Sequence, residues 1–445
     1  MFLPLYRPGQ ADYEFPSAVN HQTPFWPQID FVIADAAGDL TILRMIVRSE
    51  SLAKPHVATT VALCFLVAVL EGFDIQAIGV AAPRFAPEFG LSPEHMGWVF
   101  AVSNIGLVIG SSFGGWLADR AGRKPVFIAA VAIFGIFTLL TTLASSFATL
   151  ILVRFCAGLG FGAALPNMMA IAAEISAPEK RASTAAAMFC GMPLGGGTSA
   201  LVTQLLPPDF DWRTLFMIGG ILPVLLIPAL YLLMPETLVR DTTARASRPK
   251  VLHALFGDDR ALSTLLLWLT FLPTLLILYL ILNWLPTLVI ANGLDRAAAP
   301  QASLAFNFAS VAGALLFGRL VDRLDARWPL TLAYVALIAS LIALGASKGH
   351  AATLILSGAA GFFLLGANYA LYGVAATYYP QSVRGTGSGA SVAMGRVGSI
   401  IGPLLAGVLL GGGMTAAGVV QYMAPFAAVA AAAVFALSFR RRAPD

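Results

Sequence analysis

The sequence predicts an all-α membrane protein of twelve transmembrane helices, arranged as two pseudo-symmetric six-helix halves. Three observations lead there. The chain has 445 residues, of which 58% are hydrophobic and 11% charged, with a mean hydropathy of +0.80; soluble domains carry about 25% charged residues. Apolar runs long enough to cross a hydrocarbon core of about 30 Å recur along almost the whole chain, without the alternation of a β-barrel. Signals also repeat 203 residues apart: "GWLADR" at 115–120 and "GRLVDR" at 318–323, Arg181 and Arg384, Gly195 and Gly398. A duplicated six-span unit is the simplest source of that offset.

Taken in order, runs bounded by charge, Pro and Gly place the spans at 57–82, 96–117, 125–144, 148–171, 181–206, 213–234, 261–290, 300–321, 329–346, 352–376, 385–410 and 416–438. An even number puts both termini on one side. That side holds Arg120, Arg123, Lys124, Arg181, Arg319, Arg323, Arg327, Arg384 and the run Arg440, Arg441, Arg442, among others. The opposite loops hold only Arg84, Arg213, Arg296 and Lys348. Such asymmetry predicts cytoplasmic termini in a bacterial-type inner membrane. The net charge of +4 then follows from topology and carries no nucleic-acid signal.

The domain plan is an N-terminal half at 45–234, a cytoplasmic linker at 235–260, a C-terminal half at 261–438 and a basic tail at 439–445. Residues 1–44, with "FPSAVNHQTPFWPQIDFVIADAAGDL", show no span, signal-peptide core or helical period. They are expected to be a disordered extension or an artefact of the start site, because Met45 opens a short basic lead into the first span.

Several chemistries are excluded. Cys64, Cys156 and Cys190 lie in apolar runs without ligand spacing, so no disulfide framework or metal site is expected. No phosphate-binding G-x-x-x-x-G-K-[ST] loop occurs, and no cofactor is implied. All five histidines fall in polar segments. Gradient-driven transport, not enzymatic catalysis, is the expected activity.

Charge inside the spans carries the rest. "LEGFDIQAIG" places Glu71 and Asp74 three apart on one face of span one. Arg154 stands about two turns into span four, where insertion of a guanidinium costs about 2.5–3.5 kcal/mol and calls for an acidic partner. A permanent pair with the span-one acids is one reading; a proton site is the other. A carboxyl taken out of water is easier to protonate, and no histidine competes for that role. Arg396 lies twelve residues beyond Arg384, about 18 Å along the helix and near the bilayer centre. Its counterpart in the first half is Pro193. It either binds an anionic substrate or pairs with an acid on a neighbouring helix. Tyr279 with Asn283, and Asn368 with Tyr372, share helix faces; with Trp284, Phe306 and Asn307 they either flank a planar ring or pack helices. In "GGWLADRAGRKP", Gly114 and Gly115 allow close helix approach and Asp119 accepts hydrogen bonds in a short basic turn with Arg120, Arg123 and Lys124.

That loop, with its second copy ending in Asp322 and Arg323, resembles the signature of the major facilitator superfamily. The resemblance implies a gating latch between the halves made by Gly115, Asp119, Arg120, Arg123, Asp322, Arg323 and Arg384, and a proton-coupling role for Arg154. "LEGFDIQAIG" looks like the D-G-[FY]-D signature of that superfamily's aromatic acid:proton symporters, with Glu71 in place of the commoner first aspartate. With "MGWVFAVS", "GLGFGAALPN", "NWLPTLV" and "VAMGRVGSIIGPLLAG", it is similar to the group that carries 3-(3-hydroxyphenyl)propionate, over about Pro55 to Arg440. In this family the residues matching Glu71, Asp74, Arg384 and Arg396 are implicated in transport.

A sign argument points the same way. Moving a carboxylate into a cell negative by about 100 mV works against roughly 2.3 kcal/mol per charge, so a co-transported cation is required. The expectation is a monomer in the lipid bilayer that imports a small aromatic carboxylate with protons by alternating access. Asp74, helped by Glu71, takes the proton, and Arg396 takes the carboxylate. The rivals are a proton-coupled exporter and a non-transporting membrane sensor.

Overall fold

The computed structural model describes residues 28–34, 40–46, 54–177, 180–207, 209–237 and 251–440, and divides into two compact units, Met1–Pro55 and His56–Asp445. In the first unit β1 (Gln28–Ala34) and β2 (Leu40–Ile46) pair antiparallel, with Phe31 opposite Leu43. This differs from the expected extension without regular structure. "QIDFVIA" and "LTILRMI" are rich in β-branched residues, which suit a pleated pair. The rest of 1–44, much of the 235–260 linker and the last five residues of the basic tail lie outside the described residues.

The second unit is helical: α1 (Lys54–Glu88), α2 (Pro93–Ala121), α3 (Arg123–Thr141), α4 (Phe147–Ile175), α5 (Arg181–Phe189), α6 (Gly191–Leu205), α7 (Arg213–Leu233), α8 (Val251–Phe256), α9 (Ala261–Ala291), α10 (Ala298–Arg323), α11 (Arg327–Ala346), α12 (His350–Ala376), α13 (Arg384–Gly411), α14 (Ala416–Gln421) and α15 (Ala424–Leu437). Among the described residues, 12 segments are long and apolar enough to cross a membrane, with α5–α6 and α14–α15 each forming one span. Both breaks have the same cause. Pro193 and Pro425 each stand four residues beyond the end of the preceding helix, at Phe189 and Gln421, where a proline ring collides with the i−4 carbonyl and lacks the N–H to continue. The short α8 in the linker was not foreseen.

Helix starts are capped by recognisable chemistry. Ser92 accepts the His95 N–H at 3.3 Å ahead of Pro93, and Ser146 with Thr149 forms a capping box on α4. At α3 the cap comes from far along the chain: Glu236 accepts the N–H groups of Arg123 at 2.9 Å and Lys124 at 3.3 Å. A carboxylate suits the positive end of a helix.

The 203-residue repeat reappears as backbone contact. A methyl group on Gly110 would overlap the Leu159 carbonyl, and one on Gly313 the Phe362 carbonyl. Gly158 and Gly361 stand likewise against Ser103 and Phe306, and Gly195 and Gly398 against Val69 and Leu272. Every member of each pair is 203 residues from its counterpart. In each half the second span thus packs on the fourth, and the first on the fifth, at the closest approach that glycine permits. Gly115 was expected to serve the same purpose; a methyl there meets nothing within 4 Å, and Gly114, against Ala163, makes the contact instead.

The halves meet at the end away from the start of α1 and the end of α15. There Gly97 of α2 faces Pro403, Leu404 and Gly407 of α13, and Gly79 of α1 faces Leu282 and Asn283 of α9. Asn104 donates to the Ser399 carbonyl at 3.2 Å. Gln76 and Asn307 exchange two amide hydrogen bonds, 2.7 and 2.6 Å, between α1 and α10. At the terminal end Gly115, Gly318, Gly385 and Gly389 have no neighbour within 4 Å of an added methyl. These contacts between the halves all lie toward the far end.

Candidate functional site

Two clusters sit at the depth of the sealed interface. The first belongs to the N-terminal half. Asp74 on α1 receives Arg154 Nη1 at 3.1 Å and Nη2 at 2.7 Å from α4, and Thr138 Oγ1 at 2.8 Å from α3. Both charged side chains are 0% exposed. The bidentate fork fixes the guanidinium plane, whose carbon lies 5.6 Å from the centre of the Phe216 ring on α7. Asp74 therefore has a cation and a hydroxyl as partners. This is the pairing that the depth of Arg154 made possible.

Glu71, one turn earlier on the same helix, is equally buried, yet neither carboxyl oxygen has a hydrogen-bond partner. The charges acting on it are those of Arg396 and Asp74. The expectation made Asp74 the proton carrier and Glu71 its helper. Asp74 is the acid whose charge is compensated, and Glu71 is the one without a hydrogen-bond partner.

The second cluster surrounds Arg396 on α13. Its guanidinium donates to the Tyr279 hydroxyl at 2.8 Å from α9, and no ion pair joins it to an acid among the described residues. Tyr279, Tyr372 and Glu71 all lie within its electrostatic reach. Tyr372 of α12 meets Phe271 edge-on, 5.6 Å between centroids, and Tyr369 at 6.4 Å. Asn368 lies beside the Tyr372 side chain, and its Oδ1 is buried without a partner. Chemically the set offers a free cation, phenol rims and one vacant acceptor.

Other expected ring-flanking residues are engaged elsewhere. Trp284 donates to the Pro403 carbonyl at 3.0 Å and meets Phe100 edge-on at 5.1 Å, so it belongs to the far-end seal. Asn307 is held by Gln76, and Asn283 donates back to the Tyr279 carbonyl at 2.6 Å. Phe306 is buried in the core. Sequence reasoning passed over Thr138, Gln76, Phe271 and Tyr369. A hydroxyl and an amide at mid-span were visible signals for the first two; the aromatic pair carried none among so many core rings.

The gating set is placed as follows. Asp119 pairs with Arg123 at 2.9 Å, and Arg123 reaches Glu174 at 3.2 Å. Arg120 stacks on Trp116, 3.8 Å from the ring centre. These ion-pair partners of Asp119 and Arg123 lie in the N-terminal half. Asp322 and Arg323 are exposed, and Arg384 Nε donates to the Tyr379 carbonyl at 3.4 Å.

Comparison with known proteins agrees with this architecture. The model of the Major Facilitator Superfamily matches residues 64–345 and 290–445. The 3-(3-hydroxy-phenyl)propionate transporter of Escherichia coli is 39% identical over 89% of this chain and 98% of its own length. The 4-hydroxybenzoate transporter PcaK of Pseudomonas aeruginosa is 33% identical over 85% and 92%, and the gallate transporter of Pseudomonas putida 32% over 79% and 85%. Among solved structures, a bacterial homologue of the human lysosomal transporter Spinster superposes with a TM-score of 0.73 over 87% of this chain and 98% of its own. At 19% identity that likeness speaks for the fold alone.

Proposed function

We propose a transport function for this chain, which belongs to the Major Facilitator Superfamily: it imports a hydroxylated aromatic carboxylate together with protons, by alternating access in an inner membrane. The relatives' names support the aromatic acid. The observation that carries the assignment to residues is Arg396, a cation bonded to the Tyr279 phenol and ion-paired with no acid among the described residues, within electrostatic reach of Glu71 of the other half, whose carboxyl has no hydrogen-bond partner.

In this reading the substrate carboxylate takes the open valences of Arg396 next to Tyr279, which a planar fork does well. Tyr372 and Tyr369 flank the ring, and the vacant Asn368 Oδ1 accepts a ring hydroxyl. Leaving that acceptor unmet disfavours an acid without the hydroxyl. Ring acids related to 3-(3-hydroxyphenyl)propionate fit this pattern.

Coupling follows from the position of Glu71. An ionised carboxylate buried without a partner is costly, so Glu71 holds a proton while Arg396 is neutralised by substrate. Once the substrate leaves, the bare guanidinium attracts a carboxylate form of Glu71, and the proton leaves next. Binding of one ligand thereby favours the other, the reciprocity that symport requires. Asp74 and Arg154, mutually neutral, let the helices move without a net buried charge. With cytoplasmic termini, closure at the far end makes this the inward-open member of the cycle.

The test is uptake of labelled 3-(3-hydroxyphenyl)propionate by whole cells. Accumulation is expected to vanish with a protonophore and in Glu71→Gln, while Glu71→Gln keeps exchange of substrate for substrate, since the amide mimics the protonated acid. Accumulation that ignores the protonophore would end the coupling assignment. Retention of accumulation in Glu71→Gln would return the proton to Asp74.

A further inference from the structure

A separate cavity of about 330 Å³ opens at the terminal end of the second half, between α11, the end of α12 and α15. It is outside both clusters described above. Its volume falls within the range of small-molecule sites, about 300–1,000 Å³. Leu330, Val374, Val434 and Leu437 make its wall apolar. Two polar groups in the lining are already occupied: Tyr378 donates to the Leu437 carbonyl at 3.1 Å, and Asp325, itself exposed, accepts the backbone N–H of Arg327 at 3.2 Å.

The Arg327 guanidinium is different. Its carbon stands 4.9, 4.5 and 4.4 Å from the ring centres of Trp328, Phe435 and Phe439. Three rings favour the charge through their faces but take none of its hydrogen bonds. Nε is buried with no partner, and no ion pair links the group to an acid among the described residues. A desolvated donor left unpaired is costly, and an anion with several acceptor oxygens is what completes a guanidinium.

The surroundings narrow the source of that anion. Leu324, Trp328, Leu332 and Phe439 are exposed around the same corner, and an arginine set among aromatic rings at a span's first residue is the pattern of a membrane interface. A free anion gains nothing from such an apolar rim, whereas acyl chains do. We propose that this pocket seats the phosphate of an anionic membrane phospholipid on Arg327, with the lipid's chains along the exposed apolar rim.

The experiment is native mass spectrometry of the full chain in detergent, titrated with dioleoyl phosphatidylglycerol, with dioleoyl phosphatidylcholine, and with inorganic phosphate alone. Phosphatidylglycerol is expected to bind about tenfold more tightly than phosphatidylcholine, with the preference lost in Arg327→Gln. Ser438→Phe, which fills the cavity and leaves the guanidinium intact, is expected to lose it as well. This second variant decides the matter if Arg327→Gln does not fold. A preference that survives in a folded variant, or is absent from the unaltered protein, overturns the proposal. So does inorganic phosphate that competes at equal concentration, because the lipid chains would then contribute nothing.

Discussion

The two halves share a frame and differ in what they place inside it. Gly110, Gly158 and Gly195 meet the same backbone positions in the first half as Gly313, Gly361 and Gly398 do in the second. Yet the counterparts of Glu71, Asp74 and Arg154 are Thr274, Ile277 and Ser357, and the counterpart of Arg396 is Pro193. Thr138, which bonds Asp74, corresponds to the buried Leu341. Close helix packing is needed twice, so its glycines occur twice. Ion chemistry is needed once of each kind, because intramembrane charge is expensive and each copy must have its own partner. Duplication supplied the frame; the charges divide the work, with acids in one half and the free cation in the other.

The largest effect should come from breaking the pair that only the first half has. Asp74→Ala leaves Arg154 buried without its anion and is expected to cost about 3–5 kcal/mol of stability, whereas Ile277→Val at the matching position costs about 1 kcal/mol. Thermal unfolding in detergent measures both; equal losses would mean that the pair contributes no more than packing. Replacing Asp74 and Arg154 together by Leu and Met should recover most of the loss.

Arg396→Gln comes next. Loss of a charge-assisted contact, about 1.5–3 kcal/mol, predicts roughly ten- to hundredfold weaker substrate binding at unchanged protein level. Equilibrium binding of the labelled acid reads this directly, and undiminished binding would remove the cation from the site. The shared frame is probed by Gly110→Ala and Gly313→Ala, each expected to destabilise by about 1–3 kcal/mol through overpacking. The comparison between halves sharpens if the two losses agree and weakens if only one variant suffers. The smallest expected effect is Thr138→Val, about 1 kcal/mol for one hydrogen bond to a buried carboxylate that keeps its arginine.

Much of this was legible in one dimension. Spans are readable because a bilayer admits only long apolar helices. The same expense of burial makes Glu71, Asp74, Arg154 and Arg396 stand out as soon as the spans are drawn. The repeat is readable because glycine has no substitute where backbones touch.

Partnership was not legible. Depth and face made Glu71 and Asp74 equal candidates for Arg154, and family likeness favoured Asp74 as the proton carrier. The choice between them depends on how α1 is rotated against α3 and α4, a matter of a few ångströms set by Gly72, Gly191 and Gly195 packing α1 on the fifth span. The same holds for Trp284, whose composition suits a ring-binding cavity and whose indole instead closes the far end on Pro403. The sequence alone thus determined which groups are buried at what depth, since that follows from helix rise and the thickness of the membrane. The tertiary structure decided which buried groups touch, because hydrogen bonds and ion pairs depend on separations between helices that no periodicity along a single helix encodes.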